Sequence, residues 1–107
     1  MNVLDLMSWM GFTGAARRSP ASDQAHELVG EGALLLDVRT RGEFASAHLP
    51  GAMNIPVQEL GGRAQELPPQ DRSIVVYCRS GARSAAAAAE LRRLGYRVHD
   101  LGPMSAW

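Results

Sequence analysis

The chain has 107 residues and 46% apolar content, enough for one modest hydrophobic core and too little for two ordinary domains. Eleven basic residues balance eleven acidic ones, so overall charge selects neither nucleic acid nor an anionic membrane as a partner. A single cysteine, Cys78, excludes an internal disulfide and a multi-cysteine metal site, so no metal and no cofactor is expected; it also fits a reducing cytoplasm.

In the first twenty residues the basic start, continuous apolar run and cleavage site of a secretory signal are missing, and the segment is too broken to span a bilayer. A soluble, cytoplasmic protein without a transmembrane span is the expectation. Val3, Leu6, Met7 and Met10 nevertheless share the spacing of an amphipathic helix, with Trp9 and Phe12 nearby. Residues 1–18 are therefore set apart as an N-terminal amphipathic segment. Its stripe is expected to cover the domain or a sister subunit, as in a homodimer, or else a partner or membrane surface, with disorder as the remaining alternative.

Residues 19–107 read as one domain. Ser22 suits the N-cap of a helix over 23–29, closed by Gly30 or Gly32. The apolar run 33–38 has the length and continuity of a strand buried on both faces of a parallel sheet. Thr40 and Glu43 have capping-box spacing for a short helix through 46, and this accounts for Glu43. After the turn at Pro50-Gly51 come a brief strand over 52–55, a helix over 56–64 and a polar linker over 68–72. The β-branched run 73–77 is the strongest strand signal, and 82–94, with five consecutive alanines, the strongest helix signal. A last strand over 96–101 and a turn at Gly102-Pro103 follow. Strands alternating with short helices indicate an α/β domain with a mainly parallel sheet.

Ligands of open parallel sheets bind beyond the carboxyl ends of the strands, where this reading puts Cys78. The segment Cys78-Arg79-Ser80-Gly81-Ala82-Arg83-Ser84 joins strand to helix, so the unbonded N–H groups of the helix start point into it. Gly81 permits the backbone to turn those groups inward, and Arg79 and Arg83 add charge at the rim. Such surroundings lower a cysteine pKa from about 8.5 toward roughly 3.5 to 7.5, leaving a nucleophilic thiolate. The same cradle suits a persulfide anion, and either arginine suits the sulfonate of a small anionic donor such as thiosulfate. A lone cysteine is more often inert packing; the arginines, glycine and serine around this one favour chemistry.

These residues resemble the rhodanese homology domain. Leu35-Leu36-Asp37-Val38-Arg39 is similar to its strand ending in Asp-Val-Arg. Glu43-Phe44 and the run from His48 to Pro56 resemble its "E-F/Y…GHIPGAINIP" stretch, and Cys78 to Ser84 its "CRSGxRS" active loop. The resemblance implies a five-stranded, mainly parallel sheet flanked by helices. It also implies a sulfurtransferase whose cysteine takes sulfane sulfur from a donor and passes it to cyanide, a thiol or a protein. Cys78 becomes the nucleophile and the backbone from Arg79 through Ser80, Gly81 and Ala82 to Arg83 the cradle, with Asp37, Arg39 and Ser84 as possible supports. Gly102-Pro103 replaces the family's Gly-Gly pair, and Ala47 the glycine before the histidine.

Asp37 and Arg39 are more simply explained by pairing with each other, His26 by facing solvent, and His48 by a hydrogen bond in its turn. His99 and Asp100 end the predicted last strand on the active rim. The rival enzyme is a cysteine-loop phosphatase, but four residues separate Cys78 from Arg83 where tyrosine-phosphatase-like loops have five, and no aspartate is placed as general acid. A persulfide relay or a binding module without turnover shares the loop and differs in partner.

Overall fold

The computed structural model describes residues 19–107. The expected amphipathic segment over 1–18, with any homodimer contact it would make, lies outside the described residues. Ser19 is the N-cap of helix α1 (Pro20–Gly30), its hydroxyl accepting from the Ser22 N–H at 3.1 Å. The helix starts three residues before the predicted point because Pro20 fits the first helical position, where no N–H is needed. Ser22 is instead buried, and its hydroxyl donates to the Trp107 carbonyl at 2.6 Å.

Strand β1 (Leu34–Asp37) leads to α2 (Arg41–Ser46), which begins with the full capping box predicted from Thr40 and Glu43. Strand β2 is only Met53–Asn54. The helix predicted over 56–64 is two 3-10 segments, Val57–Glu59 and Gly61–Glu66. Gly61 and Gly62 are poor helix formers, and Arg63 leaves helical geometry at φ −119°, reaching Glu59 and Glu66 with its guanidinium. Strand β3 (Ile74–Cys78) and α3 (Ala82–Arg93) follow as expected, and β4 (Val98–Pro103) ends the sheet before a 3-10 turn at Met104–Ala106.

Four strands, one fewer than the resemblance implied, form the sheet among the described residues, ordered β2-β1-β3-β4 and all parallel. Gly102-Pro103 is not a turn. The β3–β4 register slips between Val76 and Tyr77, and Gly102, at φ +83°, absorbs the slip while its N–H donates to Asp100 Oδ1 at 3.0 Å. Proline is tolerated there because β4 is an edge strand.

Alternation along β1 and β3 divides the core. Leu34, Leu36, Ile74, Val76 and Cys78 meet Ala87, Ala88 and Leu91 of α3 on one face. Leu35, Val75 and Tyr77 meet Ala25 of α1 and Leu101 on the other. The alanines let α3 lie close to the sheet. Truncating the fully buried Leu36 to alanine is expected to cost about 2–5 kcal/mol.

The chain leaves β1 toward one edge of the sheet and β3 toward the other, so the strand order reverses between them. In doubly wound sheets the crevice at that reversal, beyond the carboxyl ends, is where ligands sit. The ends of β1 and β3 are Asp37 and Cys78.

Candidate active site

Cys78 is the last residue of β3 and fully buried. Three residues on, Gly81 adopts φ +111°, in the left-handed region, and its N–H donates to Cys78 Sγ at 2.9 Å. No open space is lacking for a side chain at Gly81; the backbone angle itself asks for glycine. Burial pushes the thiol up, while the Ser84 hydroxyl and the N–H groups of Ser84, Gly81 and Ser80 pull it down. Their combined effect prevails, and the pKa falls below the ordinary value of 9.0. The twelve-residue α3 aligns its positive end with the same sulfur.

Ser84 is also fully buried, and its hydroxyl lies 3.0 Å from the Gly81 carbonyl oxygen. One hydroxyl proton serves either that carbonyl or the sulfur. It can therefore follow the charge state of Cys78 without leaving a buried group unsatisfied.

The two loop arginines, which the sequence treated alike, differ. Arg83 is tied to Glu43 of α2 by two bonds, 2.6 and 3.0 Å, so its charge is largely matched. Glu43 in turn accepts from the Thr40 N–H at 2.9 Å, and with Arg83 first among the causes its pKa drops to about 2. Glu43 thus both caps α2 and anchors the active loop. Capping explained it so fully that spacing gave no hint of a partner forty residues away. Arg79 is exposed and has no hydrogen-bonded or ion-paired partner among the described residues. The remaining described arginines all have one.

Asp37 and Arg39 pair locally. Arg39 Nη2 lies 2.6 Å from Asp37 Oδ2 and also donates to the Ala47 carbonyl at 2.7 Å, while the Arg39 N–H donates to Asp37 Oδ1 at 2.8 Å. The Arg39 guanidinium sits 5.6 Å over the Tyr77 ring. Asn54 Nδ2 bridges the carbonyls of Asp37 and Arg39, and the Leu49 N–H donates to the Tyr77 hydroxyl at 3.1 Å. Burial, with Asp37 alongside, pushes Tyr77 up to about 12, so the phenol remains protonated. Asp37 and Arg39 brace the loops around the site from below; Asn54 and Tyr77 join that brace without a sequence signal.

Other expectations change. His99 pairs in register with Val75, below the rim, and its ring nitrogen meets the Ala21 carbonyl at 2.9 Å, while Asp100 serves the bulge. His26 does not simply face solvent: it stacks on Trp107 with ring centroids 3.7 Å apart, and its Nε2 lies 2.6 Å from the Trp107 carbonyl oxygen. His48 makes the expected turn contact, 2.8 Å from the Phe44 carbonyl.

Beside the loop lies a cavity of about 430 Å3 lined by Arg39, Glu43, Ser46, Ala47, Arg79 and Met104, with Ser105. A buried sulfur ringed by N–H donors, with an unpaired arginine as the next residue, can hold a thiolate, accept a sulfur atom and attract an anion. No helix among the described residues is long and apolar enough to cross a membrane.

A family model described as the rhodanese-like domain matches residues 21–107. The chain is similar to a sulfurtransferase of Allochromatium vinosum, 46% identical over 79 residues that cover 72% of this chain and 73% of the relative. It is also similar to thiosulfate sulfurtransferase 16, chloroplastic, of Arabidopsis thaliana, 36% identical over 78% of this chain and 80% of that protein. Among solved structures, the human single-domain sulfurtransferase superposes with a TM-score of 0.65 at 31% identity, covering 79% of this chain and 87% of that one.

Proposed function

This chain belongs to the rhodanese-like domain family and is a sulfurtransferase, and on that premise we propose that it carries sulfane sulfur as a persulfide on Cys78. The observation that carries the reading is the set of donors converging on the Cys78 sulfur from Ser80, Gly81 and Ser84. Donors that stabilise a thiolate before transfer also stabilise the anion formed afterward.

With thiosulfate as donor, the Cys78 thiolate attacks the outer sulfane sulfur. The sulfur–sulfur bond of the donor breaks, and sulfite leaves with the electron pair. The enzyme retains the transferred atom as Cys–S–S⁻. Arg79 meets the sulfonate, because Arg83 is already engaged by Glu43. Cyanide or a thiolate then attacks the outer sulfur and returns Cys78 to its thiolate. Neither Arg79 nor Ser80 has a side-chain hydrogen bond among the described residues, so both side chains can turn aside as a donor approaches the buried sulfur. The single cysteine suits a reducing cytoplasm as the place of action. Residues 1–18 form a separate segment ahead of the domain at 19–107.

Intact-mass measurement after incubation with thiosulfate tests the reading: the wild-type chain should gain one sulfur and Cys78→Ala none. If thiosulfate, 3-mercaptopyruvate and polysulfide all fail to load the wild type, the proposal is wrong. Aryl-phosphate hydrolysis that disappears in Cys78→Ala would place the protein with the cysteine-loop phosphatases.

A further inference from the structure

Three arginines surround the candidate site, and two are matched: Arg39 by Asp37 and the Ala47 carbonyl, Arg83 by Glu43. The residual positive charge belongs to Arg79, next in sequence to the nucleophile. The cavity it lines, about 430 Å3, falls in the range of pockets that enclose organic ligands, roughly 300–1,000 Å3, and far exceeds what a thiosulfate or cyanide ion fills. Its wall mixes the apolar Ala47 and Met104 with the hydroxyls of Ser46 and Ser105. Glu43 also faces it, but with its charge committed to Arg83 and the Thr40 N–H it offers little to a cation.

We propose that this cavity is the acceptor subsite, built for a small organic thiol that carries a carboxylate: Arg79 takes the carboxylate and Ala47 and Met104 take the carbon chain. The inference rests on the sulfurtransferase reading and narrows its acceptor. Sulfite leaves before the acceptor enters, so one guanidinium serves the donor's sulfonate in the first half-reaction and the acceptor's carboxylate in the second. In that second step the acceptor's thiolate attacks the outer sulfur of the Cys78 persulfide. The bond from that sulfur to Cys78 Sγ breaks, and the electron pair goes to Sγ, which leaves as the thiolate its N–H donors already stabilise. The transferred sulfur becomes the terminal atom of the acceptor's persulfide.

The test begins with protein loaded by inorganic polysulfide, loading being verified by intact mass. Discharge is then followed in single turnover with 3-mercaptopropionate, 2-mercaptoethanol and cysteamine, with rates expressed per thiolate. Half-saturation by the carboxylate thiol should come at a concentration about tenfold lower than for the neutral one, with the amine thiol weakest. In Arg79→Met the preference should vanish, and in Arg79→Lys it should return in part. Equal half-saturation for the three thiols in wild type, or a preference that survives in Arg79→Met, overturns the subsite. Failure to load at all is a different result, since it removes the persulfide reading on which the subsite stands.

Discussion

The two rims of the sheet carry cavities of similar size and similar arginine content, yet they do opposite things. At the amino-end rim, a cavity of about 360 Å3 is bounded by Arg72, Arg97, Asp71 and Glu31, among others. There Arg72 donates to the Gly32 carbonyl at 2.7 Å and Arg97 to the Asp71 carbonyl at 3.1 Å, closing off chain ends. At the carboxyl-end rim the N-termini of α2 and α3 open onto the site, with the Thr40 N–H directed at the Glu43 carboxylate and the Gly81 N–H at the Cys78 sulfur. The difference follows from the architecture: at their carboxyl ends the central strands β1 and β3 each run into the amino end of an α-helix. Backbone donors, and with them the affinity for anions, collect on one side, while carbonyls needing cations collect on the other. Neither cavity volume nor arginine content marks the site; convergence of donors on one reactive atom does.

The comparison breaks most completely at the nucleophile. Cys78→Ser should reduce sulfur transfer to background, measured as thiocyanate release, because serine neither ionises in this range nor holds a persulfide. Next comes the backbone angle that aims the cradle. Gly81→Val imposes a branched side chain at φ +111° and should lower kcat by roughly ten- to a hundredfold and raise the thiol pKa, read from the pH dependence of alkylation. In the wild type, persulfide formation should persist well below pH 9 and decline only as pH falls through the depressed Cys78 pKa; a profile centred at or above 9 would refute the cradle's electrostatic role.

A smaller effect separates the matched charges. Glu43 ionises at about 2 in the folded protein, so its contribution to stability is fully present above the ordinary carboxylate value of 4.5 and fades as pH falls toward 2. Glu43→Gln should lower the urea midpoint at pH 7, within about 1 kcal/mol for so exposed a pair, and the gap from wild type should narrow at pH 3. The smallest effect is expected on the other rim: Arg97→Ala should leave sulfur transfer within about twofold of wild type and shift stability by no more than about 1 kcal/mol. A large loss of activity there would end the contrast between the rims.

What the sequence disclosed, it disclosed through local chemistry. The runs ending at Asp37 and Cys78, the Thr40–Glu43 box and the glycine at 81 declare themselves within a few residues, and they were enough to put the thiol at a helix start. What stayed hidden depends on partners far along the chain. Arg83 looks like a free cation until Glu43 is folded against it, and Tyr77 looks like one more β-strand aromatic until its hydroxyl meets the Leu49 N–H. The bulge at Gly102 is hidden for a related reason: Gly-Pro is ordinarily turn chemistry, and only the pairing of β4 with β3 shows the extra residue being absorbed within a strand.

Because Cys78 is the chain's sole thiol and lies at the end of β3, between β1 and β4, its chemical accessibility can also time the opening of the sheet. A reagent too bulky for the loop can reach the sulfur only when the central strands separate. Its labelling rate under native conditions therefore samples the free energy of that opening, as slow amide exchange does for a core strand. A compact ion, reacting by way of the loop alone, samples the folded state. The ratio of the two rates, each divided by the same reagent's rate with a free thiol, is an internal gauge of folding stability that needs neither denaturant nor an engineered label.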